Sequence, residues 1–223
     1  MEKYPRTFHL SFSPEIHSDD KVCNMEYVNE LIDNEIEIVI SEKADGGNCA
    51  LKPTGVFARS HSQETSCATF NYIKNVHYYP NMMDIIDSNL NVFGENLFAI
   101  HSIEYTALKD YFYVFNILDK NSNEYLSFDN VLKWSEAHKM KTVPVVYIGK
   151  IESIEWLENF LSNELKNPSD LGGEREGFVI RIKSSFHEDD FQKSVFKYVR
   201  RGHVQTEKHW SKNWVQAKLK VKK

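Results

Sequence analysis

The sequence predicts an α+β domain whose sheets are largely antiparallel. Three observations carry this. Runs such as Glu35–Ile40 and Tyr111–Asn116 have the two-residue period of half-buried strands. Several strands are joined by hairpin-length connections, as at Pro53-Thr54-Gly55. Helical spacing recurs between them, as where Ser127 precedes Val131, Leu132, Trp134 and Ala137.

Taken in order, residues 1–20 are rich in turn formers and lack a period, which predicts an ordered arm with extended pieces. Ser18-Asp19-Asp20 offers caps for a helix over 21–33. Strands are expected at 36–44, 48–52 and 55–59, then helices at 66–76 and 81–88. Further strands follow at 91–102 and 111–118, then the helix after Ser127, a strand at 143–148 and a helix at 151–165. Asn167 to Gly173 reads as a loop, and strands at 176–183 and 195–200 complete the sheets. A last helix over 206–219 would bring Trp210 and Trp214 onto one face. Neither a repeat nor a linker divides the 223 residues, so one domain is expected.

A hydrophobic content of 41% and a charged content of 26% are ordinary for a globular protein. No apolar run approaches the roughly 20 residues that span a bilayer, and Met1–Arg6 has no signal-peptide apolar region. Cys23, Cys49 and Cys67 lack metal-ligand spacing, so reduced thiols in the cytoplasm are expected. The net charge of −5 hides an asymmetry. Residues 193–223 hold ten Lys/Arg against one acid, Glu207, whereas the rest holds 17 against 31. A basic tail on an acidic body points to a polyanionic partner.

The most informative segment is Ser41-Glu42-Lys43-Ala44-Asp45-Gly46-Gly47-Asn48-Cys49. It sets a lysine at the end of a strand, directly before a glycine turn. Such a lysine is placed to act as a nucleophile once its amine is unprotonated, which desolvation or nearby cations would favour. Lys-x-Asp-Gly also fits an exposed β-turn. The segments that follow decide between the two: Arg59-Ser60, then Phe93-Gly94-Glu95, the aromatic strand ending in Phe115-Asn116, Glu176-Gly177-Phe178-Val179-Ile180-Arg181, and Val195-Phe196-Lys197-Tyr198-Val199-Arg200.

This series, over roughly residues 35–200, resembles the ordered motifs of the covalent nucleotidyltransferases, the DNA ligases, RNA ligases and mRNA capping enzymes. Within them it is most similar to the ATP-dependent RNA ligases. The resemblance implies a nucleotidyltransferase (ATP-grasp-like ligase) domain, two mostly antiparallel sheets flanked by helices, with the nucleotide in the groove between them. It also implies ATP and Mg2+ (or Mn2+) as cofactors. Lys43 would attack the α-phosphorus of ATP and carry AMP, with Glu42 beside it in the ATP site. Asp45 would orient a metal-bound water or the lysine, unless it caps the turn. Asn48 stands where many RNA ligases have asparagine, although a turn asparagine is the alternative. Arg59 would reach the nucleotide with its guanidinium fork, or form a surface ion pair. Glu95 would accept ribose hydroxyls. Phe115 would stack on adenine, although one face of its strand must be core. Glu176 would help place the cation.

The last motif departs from the family, which usually has two lysines one residue apart. Here Val195 and Val199 flank Lys197 at those offsets. Lys193 and Arg200 are the candidate substitutes, and Lys197 with Arg200 is the expected phosphate-binding set. Arg200, Arg201, Lys208 and Lys212, with aromatics among them, suit the tracking of an RNA backbone. Only some 20 residues follow, too few for an appended oligonucleotide-binding barrel. The expectation is a monomeric RNA ligase joining 5′-phosphate and 3′-hydroxyl ends in RNA repair, with an end-healing kinase or phosphatase as partner. The alternatives are a minimal DNA-nick ligase and a nucleotide- or RNA-binding protein without turnover.

Overall fold

The computed structural model describes residues 3–59, 63–202 and 214–220. Two sheets face each other. The first has strand order β1 (Phe8–His9), β12 (Val195–Val199), β10 (Gly177–Ile182), β2 (Glu37–Lys43) and β9 (Val145–Lys150). The second runs β11 (Phe186–His187), β7 (Glu124–Tyr125), β6 (Phe112–Asp119), β5 (Leu90–Asn96), β3 (Gly47–Lys52) and β4 (Gly55–Ala58). In it β8 (Lys141–Thr142) also pairs with β6. Pairing is antiparallel except at β1–β12 and β6–β8, so the expected α+β class with two mostly antiparallel sheets holds. Among the described residues no helix is long and apolar enough to cross a membrane.

Alternation along the strands sorts the layers. On the first sheet Ile38, Ile40, Phe178, Ile180, Phe196 and Tyr198 point to one face. There they meet Val28 and Leu31 of α1 (Met25–Asp33) and Leu157 and Leu161 of α5 (Ile154–Glu164). The second sheet buries Leu51, Val92 and Val114 against Ile73 and Ile85 of the 68–87 helical run and Val131 of α4 (Phe128–Ala137). Between the sheets Ala50, Phe93, Leu118, Phe191 and Val195 close one end of the interior. The other end is left as a groove.

Several boundaries depart from expectation, each for a local reason. The first helix begins at Met25, because Asn24 rather than Ser18-Asp19-Asp20 caps it, its side chain accepting from the Glu26 amide at 3.1 Å. Asp20 is occupied elsewhere, as described below. The helical run is continuous from Ala68 to Asp87, passing through a π turn, Lys74–Tyr78, into α3 (Tyr79–Asp87). Pro80, at the start of α3, has no amide for the regular ladder, and the wider turn precedes it. The strand expected to reach 102 stops at Asn96, whose side chain accepts from the Phe98 amide at 3.0 Å and turns the chain. Residues 214–220 are extended, not helical. Ala217 donates to the Phe98 carbonyl and Lys220 to that of Leu108, and Ala217 and Leu219 pack beside Leu108. Trp214 lies against Phe98, whereas Trp210 falls outside the described residues.

Candidate active site

Lys43 closes β2 opposite Gly177 of β10, and on the same strands Val179 lies opposite both Ser41 and Lys197. Three neighbouring strands therefore present Lys43, Ser41, Val179 and Lys197 to one face. Gly177 is required at this crossing, because a Cβ there would run into the backbone oxygen of Tyr198. On the facing sheet Asn48 of β3 lies opposite Glu95 of β5, and Arg59 follows β4 with its amide on the Asn48 carbonyl at 3.2 Å. The two sets line one cavity of about 690 Å3, which holds Lys43, Asn48, Arg59, Glu95, Phe115 and Lys197 on its walls. A volume of this order accommodates a nucleotide-sized ligand.

Lys43 Nζ lies 2.6 Å from Glu176 Oε1. Glu176 is nearly fully buried at the mouth of β10, with a side-chain exposure of 4%, and Lys43 keeps 30%. Burial alone would lower the amine's pKa. The carboxylates of Glu176, Glu95 and Asp45 outweigh it, so the pKa is raised above the ordinary lysine value. At rest it is therefore an ammonium in an ion pair, and it must give up a proton before it can attack. Glu95 is pushed the other way for an acid, up to about 8, mainly by burial and in spite of Lys43. Lys197 is lowered by burial, with Asp20 opposing through a contact of 3.5 Å.

Three expected site residues sit differently. Glu42 borders the cavity, but alternation turns its side chain to the helix face beside Ile40. There Glu42 accepts from Ser169 Oγ at 2.5 Å, the Asp170 amide at 3.0 Å and Arg175 Nε at 3.1 Å. Asp45 is not on the cavity wall. Its Oδ2 takes the amides of Ser102 and Ile103 at 2.7 and 2.8 Å, and its own amide donates to Tyr105 Oη. One oxygen is therefore committed to shaping the loop after β5 rather than to its own turn. Arg200 has the parity of Tyr198 rather than of Lys197, so it leaves the groove and pairs with Glu174 at 2.8 Å. Lys193, the other candidate substitute, pairs with Asp190 and covers the Tyr27 ring on the outer surface. Arg201 is exposed beyond β12. Lys208 and Lys212 lie outside the described residues.

Sequence reasoning missed the N-terminal arm. Tyr4, Arg6 and Asp20 line the cavity. The Tyr4 ring lies 4.9 Å from that of Phe93 and 5.1 Å, edge-on, from Phe115, and burial pushes its hydroxyl up to about 12. Missed too was the buried pair Arg181 and Asn116, joined at 2.8 Å on the cavity wall. Burial lowers the Arg181 guanidinium to about 10. Arg181 shares the parity of Val179, which the strand period could have shown. For the arm no local signal existed, because contacts far along the chain place it: pairing of β1 with β12, Gln192 on Arg6, and Phe93 and Phe115 on Tyr4.

Among the described residues no group of three or more His, Cys, Asp or Glu side chains is preformed for a metal. A lone carboxylate such as Glu176 still fits a cation carried largely by phosphate oxygens and water. The cavity wall thus combines aromatic rings (Tyr4, Phe115), a carboxylate (Glu95) and cations (Arg6, Arg59, Lys197) with the Lys43 amine.

The comparisons with known proteins agree with this architecture. The RNA ligase family model matches residues 36–199. No curated protein matches the chain in sequence. Among solved structures, the chain is similar to the Naegleria gruberi RNA ligase with pyrophosphate, at 16% identity and a TM-score of 0.61, covering 92% of this chain and 63% of that one. A lysine-to-alanine mutant of that ligase with ATP and manganese gives 15% and 0.61, with 92% and 62% covered. An apo aspartate-to-alanine mutant gives 15% and 0.62, with 91% and 58% covered. The chain thus spans less than two thirds of the length of these neighbours, and at such identity they speak for the fold alone. The family match covers most of the chain, and on that ground the protein belongs to the RNA ligase family.

Proposed function

We propose that the protein is an ATP-dependent RNA ligase that seals 5′-phosphate to 3′-hydroxyl ends through AMP carried on Lys43, and that it serves RNA repair. The observation that supports this best is Lys43 at the floor of a cavity whose walls carry Asn48, Arg59, Glu95, Phe115 and Lys197, with Glu176 on its amine at 2.6 Å. The Lys43 amine attacks the α-phosphorus of ATP, forming a P–N bond and releasing pyrophosphate. AMP then passes to the RNA 5′-phosphate, and the 3′-hydroxyl displaces it to form the phosphodiester.

Each side chain has a task in this scheme. Glu176 Oε1 holds the amine on the groove face and is the acceptor at hand for its proton. Glu95 accepts the ribose hydroxyls, Phe115 packs against the base, and Arg59 and Lys197 neutralise phosphate charge. A divalent cation, Mg2+ or Mn2+, held by Glu176 and phosphate oxygens, would supply further charge neutralisation. An RNA substrate fits the basic stretch 193–223. An end-healing kinase or phosphatase would supply the required termini.

The test is intact mass after incubation with ATP and a divalent cation. One adenylate should add to the protein through an acid-labile, alkali-stable bond, and Lys43→Ala should abolish it. Persistent labelling of that variant would overturn the assignment. Sealing of nicked duplexes with RNA or DNA on either side of the break then identifies the strand that is joined.

A further inference from the structure

The phosphate end of the groove has one lysine on β12 where the family resemblance implies two. Both substitutes that the sequence offered are engaged elsewhere, Lys193 with Asp190 and Arg200 with Glu174. Another cation does reach the groove. We propose that Arg6, on the N-terminal arm, supplies the second one and binds the β- and γ-phosphates of the nucleoside triphosphate that charges Lys43. This rests on the ligase function proposed above and adds a binding residue to it.

The arm's course brings Arg6 there. β1 runs parallel to β12, with Phe8 opposite Phe196 and His9 opposite Lys197. The residues before β1 therefore lie alongside the start of β12, and Tyr4 through Thr7 all border the cavity. The arm is pinned at this point by Gln192, whose side-chain amide donates to the Arg6 carbonyl at 3.0 Å. Along the arm the order matches that of a nucleotide. Tyr4 lies at the aromatic end by Phe93 and Phe115, and Arg6 lies at the end where Lys197 stands.

Arg6 and Lys197 converge on a single atom. Asp20 Oδ1 is 3.5 Å from an Arg6 terminal nitrogen and 3.5 Å from Lys197 Nζ. His9 Nε2 is 3.3 Å from the same oxygen. His9 is held neutral, burial and Lys197 pushing it down to about 4. Asp20 is kept ionised: its own burial opposes this, but the His17 amide and Lys197 lower it to about 2. One carboxylate thus holds two full cations side by side on the groove wall, a spacing that suits neighbouring oxygens of one polyphosphate.

Arg6 is also free to exchange partners. Its side chain keeps 43% of its exposure, and its nearer partner, Asp19 at 3.2 Å, is 81% exposed. Exposed pairs of this kind are weak, so a phosphate can replace Asp19 at little cost. The bidentate fork gives Arg6 a phosphate geometry that a second lysine would lack.

The experiment is charging of the full chain with ATP, in wild type, Arg6→Ala, Arg6→Lys and Lys193→Ala. Loss of a charge-assisted phosphate contact should raise the ATP concentration for half-maximal charging by about tenfold or more in Arg6→Ala. The pyrophosphate concentration that discharges the adenylylated enzyme should rise by a similar factor. Arg6→Lys should recover part of both, and Lys193→Ala should match wild type. Sealing of a pre-adenylylated RNA end needs no triphosphate, so Arg6→Ala should carry it out within about twofold of wild type. Unchanged ATP and pyrophosphate dependence in Arg6→Ala would overturn the proposal. Equal losses in pre-adenylylated sealing would also overturn it, by making the arm a structural element. If the wild type takes no adenylate from ATP, the ligase proposal is what fails. Calorimetry with inorganic tripolyphosphate, wild type against Arg6→Ala, then decides Arg6 by itself: equal affinity would refute the role.

Discussion

At the scale of single residues, burial and paired charge act in opposite senses on the ionisable groups of the site. Lys43 is kept as an ammonium by Glu176, while Glu95 is pushed up to about 8 by burial. For Glu95 the sign follows from linkage. Its folded pKa lies above the ordinary value of 4.5, so between those values the folded state binds a proton that the unfolded chain has lost. Stability must therefore fall as pH rises through that window. Glu95→Gln removes the ionisable group, and its melting temperature should exceed that of the wild type at pH 8 and above. The gap should close towards pH 4.5. Melting curves of the ligand-free protein at both ends of the window test this, and a gap independent of pH would refute it. The same substitution should impair charging, since a functional carboxylate is held here against its solvation preference.

At the scale of elements, the strand that carries Lys43 is anchored from behind. Glu42 faces away from the groove and is buried with Arg175, which also bonds the carboxylate and carbonyl of Glu164 at the end of α5. The loop after α5 thus ties β2 to that helix. Removing the cation leaves the 3%-exposed Glu42 carboxylate without its charge partner. Arg175→Met should therefore cost about 3–5 kcal/mol of stability. Urea denaturation measures it, and a loss under about 1 kcal/mol would mean that the Ser169 hydroxyl and Asp170 amide suffice for Glu42. The Lys43–Glu176 distance depends on this register, so charging should weaken along with stability.

At the scale of the whole molecule, charge is divided between an acidic body and a basic C-terminal stretch. That division predicts where RNA is drawn. Lys208→Ala, Lys212→Ala and Lys218→Ala together should weaken RNA binding and reduce its salt dependence by up to about one unit of log–log slope per lost contact. Charging of Lys43 should persist. Binding titrations at several salt concentrations check this, and an unchanged slope would place the RNA path elsewhere. Lys218 itself lies on the extended segment 214–220, where the backbone is bridged to residues 98–108.

Much of the site was legible in the sequence, and the reason is local. Alternation places Lys43 and Lys197 on one face of their strands, and glycines mark the close crossings at Gly46 and Gly177, so short motifs carry their own geometry. Strand existence was legible for the same reason: β2, β3, β4, β10 and β12 each announce themselves by period and by turn residues. Boundaries were less so, because Asn24 and Asn96 compete with nearby polar residues for the same backbone amides, and sequence does not say which one wins. The tertiary structure alone decided the rest. It turned Glu42 and Arg200 out of the groove, gave Asp45 Oδ2 to the amides of Ser102 and Ile103, and drew residues 214–220 into an extended edge. It also laid Tyr4, Arg6 and Asp20 against residues almost two hundred positions away. Contacts at such separation follow from which surfaces remain to be buried and which charges remain to be paired once the sheets have formed, and no local pattern encodes that.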